Sequence, residues 1–518
     1  MHQDPELRPE VAGRTMSQSQ QPDLRAVFQN ARSQANAIRD LSVSDRIERI
    51  SRLKKVILDR REQIIDQIQK ETGKSRSDAL MSEIFAVLEH LDYLEKSAVK
   101  VLSDRKAHTP IALMGKSSWV YFEPVGTVLV ISPWNYPFYQ AIVPCTSSFI
   151  AGNATLYKPS EYTPLKGLVE SVLSAAEFGS GWIQVAYGDG AVASQLIEMR
   201  PDKIFFTGSV KTGKLIMAQA ARQLIPVELE LGGKDPMIVF DDANLERAAA
   251  GAAWGAMTNT GQSCTSVERL YVQKSAYEPF KKALLSEISK IKQSVDSDGD
   301  ADIGHMTVDF QLKTIREHVE EARRDGAIQL TGQDWDGNSR AVPPIVLENV
   351  RPEMKVVRDE TFGPVLPLIA FETEDQAIEL ANHSEYGLSA SVWTADQTRA
   401  VRVARALQTG NVSINNVMLT EGNHALPFGG IKMSGFGRYK GEFGLYAFSN
   451  IKSILIDKNS SKIEANWYPY TKKKYQLFTT MMVGLFSGGL LQFLKFIVAG
   501  LKLESYSNKV GKKGRTAD

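Results

Sequence analysis

The chain has 518 residues, of which 43% are hydrophobic and 23% charged, and this length suggests about two to four globular domains. An aromatic content of 8% excludes a largely disordered chain, and a count of two cysteines excludes a disulfide scaffold. The net charge of +1 argues against bulk electrostatic binding of nucleic acid, so no nucleic-acid partner is expected.

The charge is unevenly distributed along the chain. Residues 466–518 carry nine Lys and Arg against two acidic side chains, a net charge of +7. The rest of the chain carries 52 basic and 58 acidic side chains, a net charge of −6. A mildly acidic body with a basic C-terminal segment indicates a partner surface at that end of the chain.

The N-terminal third is predicted to be mostly helical. Residues 1–22 are polar and lack the apolar run of a signal peptide, which predicts a disordered N-terminus and a cytoplasmic protein. From residue 24 to 102 apolar residues recur every three or four positions, as at Ile50, Leu53 and Ile57. This spacing predicts two or three long amphipathic helices, followed by strand-like sequence at 117–132.

Beyond residue 150, short apolar runs alternate with helical patterns. The strand-like runs lie at 155–158, 183–188, 203–208, 236–240, 269–273, 327–332, 366–371 and 412–416. Strands bounded by Gly or Pro and separated by helices are typical of parallel sheets. The sequence therefore predicts an α/β fold with two α/β units joined near residues 230–235.

Two segments carry candidate reactive groups. Cys264 lies in NTGQSCTS, where small polar neighbours suit an accessible, nucleophilic thiol, although an isolated cysteine is more often a buried hydrophobe. Cys145 lies in an apolar run and is read as such a buried residue. Glu230 ends an apolar segment in LELGGK, and the two glycines after it permit close backbone approach. The alternative for Glu230 is a solvated acid at a strand end.

Further polar residues follow predicted strands. Asn135 lies in PWNYPF, where a rigidly held amide could donate to a developing oxyanion, although for this segment by itself a turn role is favoured. Glu161 in KPSE could bind ribose hydroxyls at a strand end. FTGSVKTG at 206–213 could present backbone N–H groups to a phosphate, but it is not the GxGxxG pattern. Glu360 in ETFGPV and the glycine-rich segment 427–438 complete the set.

Taken together, these segments resemble one family. PWNYPF, KPSE, FTGS, LELGGK, NTGQSC, ETFGP and PFGGIKMSG occur in this order, as in the NAD(P)-dependent aldehyde dehydrogenase superfamily. The resemblance covers residues 24 to 457, and its spacings of 34 residues from Glu230 to Cys264 and 96 from Cys264 to Glu360 also fit. The run NHALPFGGIKMSGFGRYKGEFG is most similar to the branch that acts on fatty and aromatic aldehydes.

The resemblance implies roles for individual residues. Cys264 corresponds to the nucleophile, Asn135 with the Cys264 backbone N–H to the oxyanion hole, and Glu230 to the base that activates the hydrolytic water. The implied cofactor contacts are Trp134, Lys158, Glu161, Gly208, Ser209, Gly213, Leu231, Glu360 and Phe362. NAD is the expected cofactor, because Glu161 would repel the 2′-phosphate of NADP, and no metal site is expected.

The same resemblance implies the domain organisation. It predicts a Rossmann-like NAD-binding domain from 23–105 and 125–232, and an α/β catalytic domain from 233–426. Segments 106–124 and 440–457 would form an oligomerisation arm in a homodimer or homotetramer. Residues 458–518 remain as a basic, apolar C-terminal extension.

The C-terminal extension contains a charge-free run at 475–494, about 30 Å long as a helix. Aromatic residues and three lysines precede it, a pattern typical of an interfacial helix. We therefore expect contact with a membrane through 466–505, where a helix lying on the surface is favoured over the alternative of one spanning the bilayer, and a long-chain or lipophilic aldehyde as substrate. The alternatives are a helix packed on the protein or a helix that caps the substrate tunnel.

Three other functions remain open at this stage. The first is a dehydrogenase for small soluble aldehydes, with the extension packed on the protein. The second is an acylating enzyme that uses coenzyme A, against which Glu230 argues because that reaction needs no hydrolytic base. The third is a non-catalytic binding protein, against which the complete set of matched residues argues.

Overall fold

The computed structural model describes residues 23–458 and 461–513, so the prediction of a disordered segment at 1–22 lies outside the described residues. The described chain forms two compact units. The first comprises the described parts of 1–103 and 121–452, and the second those of 104–120 and 453–518.

The helices and strands are as follows. The helices are α1 Leu24–Asp40, α2 Val43–Thr72, α3 Arg76–Ala79, α4 Ala86–Leu102, α5 Pro137–Ile150, α6 Leu168–Ala175, α7 Gly190–Glu198, α8 Val210–Ala221, α9 Leu245–Met257, α10 Tyr277–Ile288, α11 Asp309–Arg324, α12 Lys355–Arg358, α13 Glu374–Asn382, α14 Gln397–Ala406, α15 Leu419–Gly422, α16 Gly441–Ala447, α17 Lys472–Phe486 and α18 Leu490–Lys513. The strands are β1 Arg105–Ala107, β2 Lys116–Pro124, β3 Thr127–Ile131, β4 Ala154–Lys158, β5 Ile183–Val185, β6 Lys203–Thr207, β7 Val227–Glu230, β8 Asp235–Val239, β9 Val267–Gln273, β10 Ile328–Gln329, β11 Ile345–Glu348, β12 Val365–Phe371, β13 Ser389–Trp393, β14 Asn411–Ile414, β15 Gly435–Phe436 and β16 Ser449–Asp457.

The N-terminal helices have clear sequence limits. Helix α2 begins at a capping box, in which Ser42 and Asp45 exchange side-chain-to-backbone hydrogen bonds, and it ends at Gly73 with a left-handed φ of 75°. Between α3 and α4 the chain forms a π-helical turn, Leu80–Phe85. This wider turn buries Glu83 while leaving Met81 and Phe85 exposed.

The six-stranded sheet of the first unit has the order β15-β7-β6-β3-β4-β5. Strands β3 to β7 pair in parallel, and only the two-residue β15 runs antiparallel, with Gly435 opposite Glu230. The carboxyl ends of β3, β4, β6 and β7 therefore lie along one edge of the sheet. Such an edge is where open α/β sheets bind ligands.

The seven-stranded sheet has the order β10-β11-β12-β9-β8-β13-β14. Its pairs are parallel except for β10 and β11, which run antiparallel. Strand β7 of the first sheet continues into β8 of the second through residues 231–234 only. The carboxyl edge of one sheet therefore meets the amino edge of the other.

The α/β fold with parallel sheets was predicted correctly, and the differences lie at sheet edges and near the C-terminus. The run at 327–332, expected to belong to the parallel series, forms only Ile328–Gln329 and pairs antiparallel. The prediction of one continuous helix over 475–494 was also wrong. Residues 487–489 separate α17 from α18, because Gly488 and Gly489 adopt left-handed φ values of 71° and 85°.

The second unit contains β1 and this helical pair. Strands β1, β2 and β16, the last two of which run across the unit boundary, form a three-stranded sheet in the order β1-β2-β16. Helices α17 and α18 pack against each other as a hairpin. Among the described residues, no helix is both long and apolar enough to cross a membrane.

Candidate active site

The site lies where the two sheet edges meet, and two glycines allow the close approach. A Cβ on Gly232 would lie 2.3 Å from Oε2 of Glu360, and one on Gly233 would lie 2.4 Å from the carbonyl oxygen of Cys264. Neither position can therefore carry a side chain without displacing its neighbour. The paired glycines of LELGGK bring the chain before β8 against the loops before β9 and β12.

Cys264 lies in the loop that leads into β9 and is partly buried. The turn before it contains Asn259, Thr260 and Gly261, all with left-handed φ values, and such strain is typical of functional loops. Burial raises the pKa of the Cys264 thiol well above its usual value, and the nearby carboxylates, first Glu421, raise it further. Formation of the thiolate therefore needs help from a base or from an incoming substrate. Cys145 is buried in α5, as predicted.

Asn135 is buried beside this loop. Its Nδ2 donates to the carbonyl oxygen of Gln262 at 3.0 Å, two residues before the thiol. The second N–H of the same amide is available to another acceptor. The Asn135 carbonyl accepts from Nζ of Lys74 at 2.9 Å and from Nδ2 of Asn259 at 3.1 Å. These two bonds to the backbone carbonyl of Asn135, together with the bond from Nδ2, fix the position of the side-chain amide, as an oxyanion donor requires.

Glu230 is the last residue of β7 and is 4% exposed. Neither of its carboxyl oxygens has a hydrogen-bond partner among the described residues. Burial raises the pKa of Glu230 well above its usual range, and Arg438 and Lys440 only partly oppose this shift. A buried carboxylate with a raised pKa and unused acceptors is suited to accept a proton near neutral pH.

A buried ion pair that the sequence did not reveal supports Asn135. Nζ of Lys74 lies 2.6 Å from Oε1 of Glu83, and both side chains are fully buried. The other oxygen of Glu83 accepts from the backbone N–H groups of Phe138 and Tyr139, at 2.7 and 3.3 Å. This pair fixes the start of α5 immediately after Asn135. The sequence did not reveal this ion pair, because what marks it is the full burial of both side chains. That burial depends on helices that are far apart in the sequence.

Lys440 is a second residue that sequence reasoning missed. Its side chain is buried, and Nζ donates to the backbone carbonyl of Glu421 at 2.7 Å. Three aromatic rings surround Nζ with centroids at 5.0 to 5.5 Å, from Tyr139, Phe428 and Tyr439. No carboxylate of the described residues forms an ion pair with it.

The electrostatic setting of Lys440 couples it to the site. Burial lowers the pKa of Lys440 to about 8, while Glu421, Cys264 and Glu230 act in the opposite direction. Its backbone, with φ 65° and ψ 167°, occupies a region that is usual only for glycine. A strained backbone and a buried cation without a counter-ion point to a role in the site.

The predicted cofactor residues of the first sheet lie along its carboxyl edge. Lys158 ends β4, and its Nζ lies 3.3 Å from Oε2 of Glu161, whose side chain is 42% exposed. Gly208 follows β6, and Ser209 caps the N-terminus of α8 by accepting from the N–H of Thr212. A Cβ on Gly213 would lie 2.7 Å from the side chain of Leu231, so α8 packs closely on the end of β7.

The remaining predicted cofactor residues lie across from that edge. Oε1 of Glu360 accepts from the N–H of Gly233 at 3.0 Å, and burial raises the pKa of Glu360 to about 8. The rings of Trp134 and Phe362 meet edge to face, with centroids 5.4 Å apart. Phe362 adopts a left-handed φ of 51°.

A second buried ion pair supports the Glu360 loop. Lys234 contacts Glu268 at 2.5 Å, and both side chains are almost fully buried. The Glu268 carboxylate accepts from the N–H groups of Thr361 and Phe362 at 2.8 and 2.9 Å. The loop before β12 is thereby fixed next to the start of β9.

The predicted residues do not form one cluster. Asn135 and Glu360 reach the Cys264 loop through the contacts given above. The Glu230 carboxylate lies close enough for its charge to raise the pKa of the Cys264 thiol. Lys158, Glu161 and Ser209 instead extend along the sheet edge. Within residues 23–458 and 461–513, no group of three or more His, Cys, Asp or Glu side chains is arranged to hold a metal ion.

A cavity of about 630 Å³ opens in the first unit near this site. Tyr136, which follows Asn135, lines it, as does Glu421, whose carboxylate accepts from the hydroxyl of Thr265 at 3.0 Å. Apolar and aromatic residues make up more than half of the lining, and Met81 and Trp254 are exposed at the cavity.

Known proteins are similar to this chain in sequence and in fold. Residues 7–454 match the aldehyde dehydrogenase family. The chain is 44% identical to a 4,4'-diapolycopene aldehyde oxidase of Methylomonas sp over 85% of this chain and 83% of that protein. It is 35% identical to a putative succinate-semialdehyde dehydrogenase [NADP(+)] of Mycolicibacterium smegmatis over 84% of this chain and 85% of that protein.

Solved structures extend the comparison to the fold. The NAD+ complex of an aldehyde dehydrogenase from Bacillus cereus is 32% identical, with a TM-score of 0.79 over 84% of this chain and 89% of that one. With the motifs in order, the fold matched and the family match spanning nearly the whole sequence, the chain belongs to the aldehyde dehydrogenase family and is an oxidoreductase that acts on aldehydes.

Proposed function

We propose that this enzyme oxidises a lipophilic aldehyde to the carboxylic acid, with Cys264 as nucleophile and NAD as electron acceptor. The observation that carries the proposal is the convergence of Asn135, Glu230 and Glu360 on the Cys264 loop, next to a largely apolar cavity.

Each side chain has a distinct task in this reaction. Once the thiol proton has passed to a base, the Cys264 sulfur bonds to the aldehyde carbon and the carbonyl oxygen takes up negative charge. Nδ2 of Asn135 and the Cys264 N–H stabilise this charge by hydrogen bonds. After two-electron oxidation the acyl group is a thioester on Cys264. Glu230 then takes a proton from a water molecule that attacks the thioester carbon, releasing the acid and the thiol.

The residues along the sheet edges fit a dinucleotide. Glu161 presents an exposed carboxylate for ribose hydroxyls, and the N-terminus of α8 offers backbone N–H groups to a pyrophosphate. The Glu360 carboxylate and the Phe362 ring would hold the nicotinamide riboside near Cys264. When bound, NAD supplies the hydride acceptor; the Glu161 charge disfavours NADP without excluding it.

The cavity favours a neutral, apolar substrate over a dicarboxylic semialdehyde. Lys290 is the one cation among the lining residues that the structure describes, and it is paired with Glu287. The carboxylates of the lining are those of Asp78, Glu89, Glu287, Asp302 and Glu421. The carboxylate of a semialdehyde would therefore be repelled. This agrees with the relative named for 4,4'-diapolycopene aldehyde rather than with those named for succinate semialdehyde.

We also propose that β16 mediates assembly into a homodimer or homotetramer. The strand is nine residues long, and Ile451 and Leu455 are exposed on it. Among the described strands it lies at one edge of its three-stranded sheet, and such an edge can pair with a strand of another chain. Light scattering after gel filtration checks this, with Ile451→Lys as the variant expected to dissociate.

The C-terminal extension is proposed to keep this cytoplasmic enzyme at a membrane surface through residues 466–505, where a lipophilic aldehyde accumulates. The support is its excess of lysines together with the exposed apolar side chains of α17 and α18.

Substitution of the nucleophile tests the mechanism. Cys264→Ala should lower NADH formation by at least about 10⁴-fold, because no thioester can form. Cys145→Ala is the matched control and should retain activity, since that thiol is buried away from the site. NADH formation that persists in Cys264→Ala contradicts the mechanism, and an acyl-coenzyme A product in the presence of coenzyme A contradicts hydrolysis by Glu230.

A substrate series tests the lipophilic preference. kcat/KM should rise with aldehyde chain length, by about threefold or more per buried methylene until the cavity is filled. Succinate semialdehyde should be the poorest member. A flat profile, or a preference for the semialdehyde, contradicts the proposed substrate class.

A further inference from the structure

The end of the α17–α18 hairpin next to the turn carries an unusual apolar surface. We call residues 482–501 the hairpin tip. Within it, Phe486 is 79% and Leu490 77% exposed. The other exposed apolar residues of the tip are Met482, Val483, Leu491, Phe493, Leu494, Ile497, Val498 and Leu501. Lys495 is the only charged residue in this segment. A patch of this kind on a globular protein marks a binding surface.

These side chains are not the core of the hairpin, because the two helices already pack through a different stripe. A Cβ on Gly484 would lie 2.7 Å from the backbone nitrogen of Phe496, so the helices touch at this glycine. Phe496, Ala499 and Leu503 are buried on the facing side of α18. The exposed apolar residues lie outside this contact.

The opposite end of the hairpin, which we call the base, is polar and basic. Thr471, the N-cap of α17, lies 3.0 Å from the hydroxyl of Tyr506 on α18, which places the two at the same end. Lys472, Lys473, Lys502, Lys509 and Lys512 are exposed at or towards the base. Glu504 is paired with Lys462 at 2.7 Å, so the net charge there is strongly positive.

Aromatic side chains also mark the base. Trp467, Tyr468, Tyr470 and Tyr475 are exposed there. Nζ of Lys474 is within hydrogen-bond distance of the carbonyl of Pro469 at 3.4 Å, which ties this aromatic segment to the start of α17. Tryptophan and tyrosine with lysine are the residues that settle at lipid headgroups.

The length of the tip matches half a bilayer. From Leu490 to Leu501 an α-helix rises about 17 Å, and one leaflet of hydrocarbon is about 15 Å thick. Lys495 is exposed within this length, and its long side chain can extend towards the headgroups. Neither helix could cross the whole bilayer.

We infer that the hairpin inserts end-on, tip first, into one leaflet of a bilayer that contains anionic lipids. The basic, aromatic base stays at the headgroups. This inference deepens the membrane contact proposed above and depends on that part of the proposed function. It differs from a helix lying on the surface, because the charge and aromatic residues are segregated along the hairpin axis rather than around it.

Vesicle flotation of the full chain tests insertion. Vesicles of phosphatidylcholine with phosphatidylglycerol should bind the protein about tenfold more strongly than phosphatidylcholine alone, because the base is basic. The double variant Phe486→Glu, Leu490→Glu should lose binding by at least about tenfold. Leu224→Glu is the matched control, since Leu224 is a 91% exposed leucine in the first unit, and should bind normally.

Cysteine probes distinguish end-on insertion from a surface orientation. In a Cys264→Ser background, an environment-sensitive fluorophore at Phe486→Cys should shift to the blue on vesicle binding and resist iodide quenching. The same fluorophore at Lys509→Cys should do neither. Equal shifts at both positions mean that the hairpin lies flat, which overturns the inference.

The outcomes separate this inference from the proposed reaction. Oxidation of a water-soluble aldehyde by the Phe486→Glu, Leu490→Glu variant should equal that of the unaltered enzyme. If the unaltered chain does not bind vesicles, the inference that the hairpin inserts is overturned, while the proposed reaction is unaffected. Vesicle-independent oligomers that the double variant dissociates mean that a second copy covers the tip, which also overturns it. Absence of aldehyde oxidation in the unaltered enzyme overturns the proposed function, whatever the vesicles show.

Discussion

Glu83 and Glu230 are two buried carboxylates near the same loop, with opposite surroundings. Glu83 accepts from Lys74 and from two backbone N–H groups, whereas neither oxygen of Glu230 has a partner among the described residues. A fully partnered carboxylate fixes the backbone around it. An unpartnered one lowers stability and is retained where its acceptors are needed by a reactant. Hydrogen bonding, rather than burial, thus distinguishes a carboxylate that holds the backbone in place from one that is available to a reactant in this site.

The sharpest test of this contrast is Glu230→Gln. Turnover should fall by about 10²–10⁴-fold, because an amide cannot take a proton from water. One equivalent of NADH should still form in the first turnover, with the acyl group trapped on Cys264. Rapid-mixing absorbance and intact-protein mass measure the two quantities. Loss of the first-turnover NADH would mean that Glu230 acts before thioester hydrolysis.

The same substitution has a pH-dependent effect on stability. The folded-state pKa of Glu230 is raised by burial, so its contribution to stability is present at low pH and lost as pH rises towards that pKa. Glu230→Gln should therefore gain relative stability with rising pH, by up to about 1.4 kcal/mol per pH unit. Denaturant unfolding at pH 6 and 8 gives the difference, and an unchanged difference contradicts the raised pKa.

Glu83→Gln should mainly lower the free energy of unfolding. Removing one partner of a buried ion pair costs about 3–5 kcal/mol of unfolding free energy, because Lys74 stays buried without a counter-ion. Activity should fall as well, since the Asn135 loop loses its support. A double-mutant cycle with Lys74→Met isolates the coupling between the two side chains, and additive single effects contradict a supporting ion pair.

Lys440→Met probes the charge that faces Glu230, Glu421 and Cys264. Because Lys440 lowers the pKa of Glu230, its removal should shift the rise of kcat with pH upwards by about one unit. Lys440→Arg keeps the cation and should restore the profile in part. A fall in kcat without any shift would mean that Lys440 acts only through packing.

Local patterns in the sequence predicted the parallel strands and the burial of Cys145. The pair of glycines after Glu230 also indicated close backbone approach. In the structure, a neighbouring atom fills the place that a Cβ would take at each glycine. Lys440 was not predictable, because its burial depends on rings from separate segments and on a carbonyl of residue 421. Glu83 binds backbone N–H groups 55 and 56 residues away.

The C-terminal hairpin shows the same limit in another form. Residues 475–494 lack charge, and a length argument alone treats them as one helix. Gly488 and Gly489 lie within this run, but periodicity cannot tell a helix weakened by glycine from a turn. The contact of Gly484 with Phe496, which decides the fold there, joins two segments whose pairing has no local signature.

The protonation of Glu360 ties coenzyme capture to proton release. With a pKa of about 8 before the dinucleotide arrives, this carboxyl is largely neutral at pH 7. Ribose hydroxyls that donate to it favour the ionised form, so binding should expel close to one proton, and affinity should improve as pH rises towards 8. Calorimetry in buffers of different ionisation enthalpy counts that proton, and Glu360→Gln should abolish it. The affinity of the enzyme for its coenzyme would then depend on pH, before any aldehyde is oxidised.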